Sequence, residues 1–259
     1  MACLVSAFLW SASVVGVIPA TYPPGSYLWF SRPGPRGACQ TEAVEYVPQP
    51  GDLVLFDDHS KTWLFLYHMA GTDMPDHSGF VVALPDGRPA ILESAPDDGK
   101  LLGLYVELLD ALPRLDQFQG TIYIRRVRHP LTPEQSARVT QWALQQQGKR
   151  YALFRMLLQG TPFRCRSGLR AKLFARTKLD RSSYFCSEIV VAAGTVAGLF
   201  DPRVHQANRI YPRDLLYDDH YDLSATWYPA GVWHPTPPTL PRPAQPAPVA
   251  PAPLATSGF

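Results

Sequence analysis

The sequence predicts an α+β domain, and three observations carry that prediction. Short apolar runs bounded by turn residues fill the early part of the folded region. Helix signals, namely a proline-led capping box and a long apolar run, come later. Strands and helices do not alternate and no internal repeat is visible, which disfavours parallel βαβ architectures.

The elements follow in order. Residues 51–56, Gly-Asp-Leu-Val-Leu-Phe, make a short apolar strand after a turn, and residues 77–84, His-Ser-Gly-Phe-Val-Val-Ala-Leu, make a second. Pro85-Asp86-Gly87 is a strong turn, and Ala90-Ile91-Leu92-Glu93 completes a hairpin. Residues 120–127 contain Ile122-Tyr123-Ile124, a further strand. Thr132-Pro133-Glu134-Gln135 opens a helix by two independent rules. Threonine at the N-cap with glutamine three residues on is a capping box, and proline suits the first helical position. That helix is expected to run to Gln147 and stop before Gly148. The last strong element begins near Ser183 and continues through Cys186-Ser187-Glu188 to Ala193.

Composition bounds the rest. The chain has 259 residues, 46% hydrophobic and 18% charged, enough apolar material for a core. Its formal charge is only +2, so it lacks the basic footprint of a nucleic-acid binder. Four cysteines are too few for a disulfide-built scaffold, and no Cys-x-x-Cys pair suggests zinc. Four segments are read from the sequence. Residues 1–22 are apolar or small, like a signal or anchor core without its basic flank. Residues 23–48 are a Pro/Gly-rich linker, residues 49–234 the folded domain, and residues 235–259 an extended Pro/Ala tail. The first segment predicts a secreted or membrane-associated protein of a cell envelope, or a cytoplasmic one if it is not a signal. Cys39 and Cys165 are expected to be free thiols.

The candidate chemistry rests on Cys186. With Ser183 as N-cap, it would be the third residue of a helix, where unpaired N–H groups and the helix dipole favour a thiolate. Those N–H groups also suit the oxyanion of an attacked carbonyl. A lone cysteine on an apolar helix is otherwise a small buried hydrophobe. A nucleophile needs a base and a group to orient it, and His77 and Glu93 are the candidates. If Gly87 is left-handed in a three-residue loop, Leu84 pairs with Arg88 and Glu93 falls opposite Gly79. His77 then shares a face with Glu93 across a diagonal of roughly 7–8 Å. A four-residue loop would put the two on opposite faces.

His-x-Gly at a strand start, a glutamate ending the next strand and the later Tyr-Phe-Cys-Ser-Glu together resemble the permuted branch of the NlpC-type papain-like superfamily. The nearest likeness is to YiiX-like hydrolases, with lecithin:retinol acyltransferase more distant. Other matching pieces are Gly51-Asp52-Leu53-Val54-Leu55, Gly148 with Tyr151, and Tyr211-Pro212-Arg213-Asp214-Leu215. The resemblance spans roughly residues 49–220. It implies a circularly permuted papain-like fold, a small antiparallel barrel-like sheet packed against helices, with Cys186, His77 and Glu93 as the triad. No cofactor or metal is implied.

One stretch departs from the group. Residues 151–181 carry Arg155, Arg164, Arg166, Arg170, Lys172, Arg176, Lys178 and Arg181 against a single acid, Asp180. They make either a solvated surface or a cationic rim for a membrane surface or anionic substrate. Three functions therefore compete. The first is a cysteine amidase acting on a cell-wall peptide or acylated amine through a thioester. The second is a lipid acyltransferase or phospholipase using the same triad. The third is a non-enzymatic surface or metal-binding module, suggested by His59, His68 and His77 recurring among Asp57, Asp58, Asp73 and Asp76. No helical ligand pair or tight cluster supports the metal.

Overall fold

A computed structural model describes residues 26–33, 39–59, 61–69, 71–95, 105–159, 161 and 177–236. Among them the strands are β1 (Tyr27–Pro33), β2 (Cys39–Glu45), β3 (Leu53–Asp57), β4 (His77–Ala83), β5 (Pro89–Ala95), β6 (Tyr105–Asp110), β7 (Thr121–Arg125), β8 (Arg150–Tyr151), β9 (Ser183–Tyr184) and β10 (Gly231–His234). The helices are α1 (Lys61–Met69), α2 (Ala111–Gln117), α3 (Pro133–Gln146), α4 (Leu153–Gln159), α5 (Cys186–Ala197) and α6 (Pro212–Leu216). The α+β class predicted above is what the chain adopts.

The strands form one sheet in the order β2-β1-β10-β7-β3-β4-β5-β6-β8-β9. Neighbours are antiparallel except β8 and β9, which run parallel. The expectation of a small barrel-like sheet needs correcting, because this sheet is large and its two ends do not join. The extra width comes from β1 and β2, which fall within the segment read above as a linker, residues 23–48. There β1 pairs with β2 along seven residue pairs, and β10 bridges β1 to β7. Burial explains the difference, since Leu28 is fully enclosed beside Tyr46, Phe56 and Ile124.

Alternation along the strands gives the sheet two apolar faces. Leu53, Leu55, Phe80, Val82 and Leu92 pack against Ile189, Val190 and Ala193 of α5 and Val139 and Ala143 of α3. Val54, Phe56, Val81, Ile91, Ile122 and Ile124 pack with Ala111 and Leu115 of α2 on the other side. Each fully buried Leu or Phe contributes about 1.5–3 kcal/mol. Helix α3 starts as its sequence dictates, with Gln135 N donating to Thr132 Oγ1 (3.2 Å) and Thr132 N to Gln135 Oε1 (2.9 Å). It ends one residue early, at Gln146, before the left-handed Gly148.

The Gly51-Asp52 piece has a structural use. The buried Asp52 carboxylate accepts Val127 N (2.8 Å), Gln49 N (3.1 Å) and Tyr46 Oη (3.1 Å), tying the start of β3 to the chain leaving β7. Burial pushes its carboxyl up to about 6 despite those donors. Residues 1–22, the last part of the tail, Cys165 and the cations from Arg164 to Arg176 lie outside the described residues, as does the Cys39 side chain. Among the described residues no helix is long and apolar enough to cross a membrane.

Candidate active site

The β4–β5 hairpin sets the first half of the site. Leu84 N donates to Arg88 O (2.8 Å), and Gly87 has φ of 85°, so the loop is the three-residue kind. Only glycine takes that left-handed conformation without strain. Glu93 consequently faces Gly79, and His77 lies two residues before Gly79 on the same strand. The diagonal closes as a hydrogen bond, His77 Nε2 to Glu93 Oε2 at 2.6 Å.

Glu93 is 0% exposed, and an unpaired carboxylate there would be strongly destabilising. A residue missed in the sequence meets that need. Arg114, on α2, donates Nε to Oε1 (2.5 Å) and an Nη2 proton to Oε2 (3.2 Å). Its guanidinium lies over Phe56 at 4.8 Å and Phe118 at 5.6 Å, and Phe56 also stacks on the His77 ring. Burial raises the Glu93 carboxyl, but His77 and Arg114 outweigh it and hold it below the usual range. Burial likewise lowers His77. Hydrogen bonds to Cys186 and Glu93, with their charges, overcome that and lift it to about 10.

Cys186 supplies the third side chain, but its helix starts later than expected. Phe185 is the N-cap and Cys186 is the first helical residue. Ser183 cannot cap because its backbone is extended in β9, paired with Arg150, and the next residue, Tyr184, is fully buried. The new position retains the helix-terminus argument, since the N–H groups of Cys186 and Ser187 precede the intrahelical ladder. Cys186 is 2% exposed, its thiol lies 4.0 Å from Asp76 O, and it is close enough to His77 to raise that ring's proton affinity. With Nε2 committed to Glu93, Nδ1 is the ring nitrogen left for the thiol.

Two phenols also reach the sulfur. Tyr67 Oη of α1 lies 4.0 Å from Sγ and donates to Asp76 O, while the Tyr151 phenol of β8, near enough to feel the charge of Cys186, donates to Met156 Sδ (3.0 Å). Burial, with the charge of Cys186 next, holds both phenols well above the usual range, so they stay protonated donors. Asp76 is buried beside His77, and its carboxyl hydrogen-bonds Asp58. Burial and that second carboxyl push it up to about 8, so it is neutral at pH 7.

The basic stretch is partly internal. Arg155 Nη1 and Arg181 Nε lie 2.8 and 3.0 Å from Oε1 of the buried Glu188, two residues after the thiol. These two cations therefore anchor α5 instead of facing solvent. The three evenly spaced histidines separate to different carboxylates, His59 to Asp57, His68 to Asp73 and His77 to Glu93. Among the described residues no group of three or more His, Cys, Asp or Glu stands together as a metal's ligands.

The hairpin and α5 thus assemble a thiol, an imidazole and a buried carboxylate in sequence, with phenol and amide donors beside the sulfur. No protein-family model matches this chain, and no curated protein matches it. Among solved structures it is similar to the metalloprotein yiiX from Escherichia coli O157:H7, at 20% identity and a TM-score of 0.40. That likeness covers 59% of this chain and 67% of the other.

Proposed function

We propose that this protein is a cysteine hydrolase of amide bonds on a permuted papain-like (NlpC-type) arrangement, with Cys186, His77 and Glu93 as its triad. The observation supporting this most directly is that the His77 ring hydrogen-bonds the buried Glu93 through Nε2 while the buried Cys186 thiol is close enough to raise the same imidazole's proton affinity. Sγ attacks the carbonyl carbon, forming the C–S bond. The oxyanion takes the Cys186 N–H and a phenol of Tyr67 or Tyr151. The imidazolium of His77 passes its proton to the leaving nitrogen as the C–N bond breaks, giving an amine and a thioester. Water then attacks the thioester, His77 takes its proton, and carboxylic acid and thiolate separate. Glu93 fixes the ring tautomer and stabilises the imidazolium, and Arg114 keeps Glu93 ionised.

A small thiol-reactive probe followed by peptide mapping tests the reading. The Cys186 peptide is expected to label faster than those of Cys39 and Cys165, and to lose that advantage in His77→Ala. Labelling of Cys186 no faster than the other two, unaffected by His77, favours a non-enzymatic module. Cell-wall peptides and N-acyl amines then distinguish the substrates.

A further inference from the structure

A cavity of about 800 Å³ opens on the sheet, lined by five aromatic side chains, Trp29, Phe30, Tyr123, Tyr217 and Tyr228. None of the triad side chains lines it. Trp29 pairs with Val232 and Val232 with Tyr123, so these three stand in one row on one face of β1, β10 and β7. Leu55 continues the row on β3, in the face that α5 and α3 cover. The cavity thus extends that face beyond the helices. Tyr217, directly after α6, and Tyr228 complete the wall and are 43% and 41% exposed.

The buried cation of that wall is already neutralised. Arg125 donates Nη1 to Asp218 Oδ1 (2.9 Å), Nη2 to Asp218 Oδ2 (3.2 Å) and Nε to Tyr228 O (3.1 Å). An aromatic wall with its guanidinium paired suits an extended ligand that carries little charge, and such a segment starts beside it. The Trp29 ring stacks on His234 with centroids 3.8 Å apart, and the next residue is Pro235. Nine prolines fall between Pro235 and Pro253, and Arg242 is the one charged side chain of residues 235–259. Pro235, Pro238 and Pro241 recur every third residue, as do Pro243 with Pro246 and Pro248 with Pro251. A polyproline helix has about three residues per turn, so each set shares a face, and aromatic-lined grooves take such faces at low entropic cost. Crossing from β1 over β10 to β7 is two strand spacings, about 10 Å. A polyproline helix covers that in about three or four residues. The chain bends at Pro235 and Thr236, and a reversal there returns the residues that follow over Trp29.

We infer that residues 237–251 dock in this cavity as a polyproline helix, their prolines packed between the aromatic rings, so that the tail folds back on the domain that carries it. The cavity is then a peptide-binding site with an occupant supplied by the same chain, and it does not depend on the hydrolase reading. Modest contacts suffice, because tethering presents the tail at roughly millimolar effective concentration.

The test titrates a fluorescent synthetic peptide of residues 237–251 into two full-length chains and follows anisotropy. One is the wild type. The other carries Pro238→Gly, Pro241→Gly, Pro243→Gly, Pro246→Gly, Pro248→Gly and Pro251→Gly together, which empties the site of its tethered occupant. The peptide is expected to bind the substituted chain, and to bind the wild type about tenfold more weakly because the tail competes. A peptide with glycine at the same six positions is expected not to bind either chain. Adding Tyr217→Ser and Tyr228→Ser to the substituted chain is expected to weaken peptide binding about ten- to a hundredfold. Both tyrosines are exposed enough that this variant is expected to melt like its parent. Equal affinity for the two chains overturns the proposal, as does an absence of binding to the substituted chain. Binding that ignores the two tyrosines places the peptide elsewhere and overturns it too. A wild-type dimer that the six proline changes dissociate gives the cavity to a neighbour's tail, and overturns docking within one chain.

Discussion

Gly79 stands directly opposite Glu93 in the β4–β5 ladder, and a Cβ built on it would lie 2.4 Å from Ile91 Cγ2. The glycine therefore admits Ile91, a neighbour on Glu93's own strand, instead of holding open a gap between His77 and Glu93. Gly79→Ala is expected to force Ile91 aside and cost about 1–3 kcal/mol, as overpacking does. Urea denaturation measures it. A cost near zero shows that the strands separate to accept the methyl.

The triad variants are expected to fail unequally. Cys186→Ala abolishes turnover, since no other group forms the thioester, and His77→Ala is nearly as damaging. Glu93→Gln retains more activity than either, because the amide still hydrogen-bonds the ring. A silent Glu93 change, with another nearby polar side chain proving essential, moves the orienting role elsewhere.

His77 sets the alkaline limb of the rate profile. Its imidazolium is the proton donor to the leaving amine, and the folded ring holds its proton up to about 10. Activity is therefore expected to persist past neutrality and fall as pH rises through about 10. Glu93→Gln, which removes a charge raising that value, shifts the fall to lower pH. The same ring links to stability. Because its folded value lies above the ordinary 6.5, its contribution is complete below 6.5 and lost as pH rises through about 10. An alkaline limb unmoved by Glu93→Gln shows that a different group controls it.

Removing Arg114 leaves Glu93 buried with His77 as its remaining charged partner. Arg114→Met is expected to cost roughly 3 kcal/mol, the lower end for breaking a buried pair, since His77 stays. Pairing it with Glu93→Gln is expected to restore part of that loss, and a double-mutant cycle in denaturant gives the coupling. Additive costs show that the two groups do not depend on each other.

Asp76 predicts a second pH effect on stability. Its carboxyl holds a proton in the fold up to about 8 against 3.8 ordinarily, so the folded state binds more protons between those values. Stability is expected to fall as pH rises from 3.8 to about 8 and to level off above. Asp76→Asn cannot ionise and is expected to flatten that slope in melting curves. An unchanged slope assigns the effect to another group.

How much was legible in the sequence depended on how local each feature is. The His77–Glu93 diagonal was readable because a three-residue Pro-Asp-Gly loop fixes strand register within a few residues of itself. The start of α3 was readable because Thr132 and Gln135 satisfy each other's backbone with no help from elsewhere. The helix starts at Cys186, two residues later than Ser183 as a cap implies, because distant β8 claims the Ser183 backbone.

By itself, then, the sequence determined the α+β class and the start of α3, and it narrowed the β4–β5 register to two loop lengths. Each follows from turn chemistry, capping or strand alternation, which act over a few residues. The tertiary structure alone decided the rest. Residues 27–33 and 39–45 became strands because β10, about two hundred residues away, lies beside β1. Arg114 became the counterion of Glu93 because α2 packs across β5, and nothing in its neighbours' identities marks it out. Arg155 and Arg181 turned inward because the fully buried carboxylate of Glu188 needs a counterion. Those pairings depend on which surfaces meet, and a buried charge finds its partner only after the chain has folded around it.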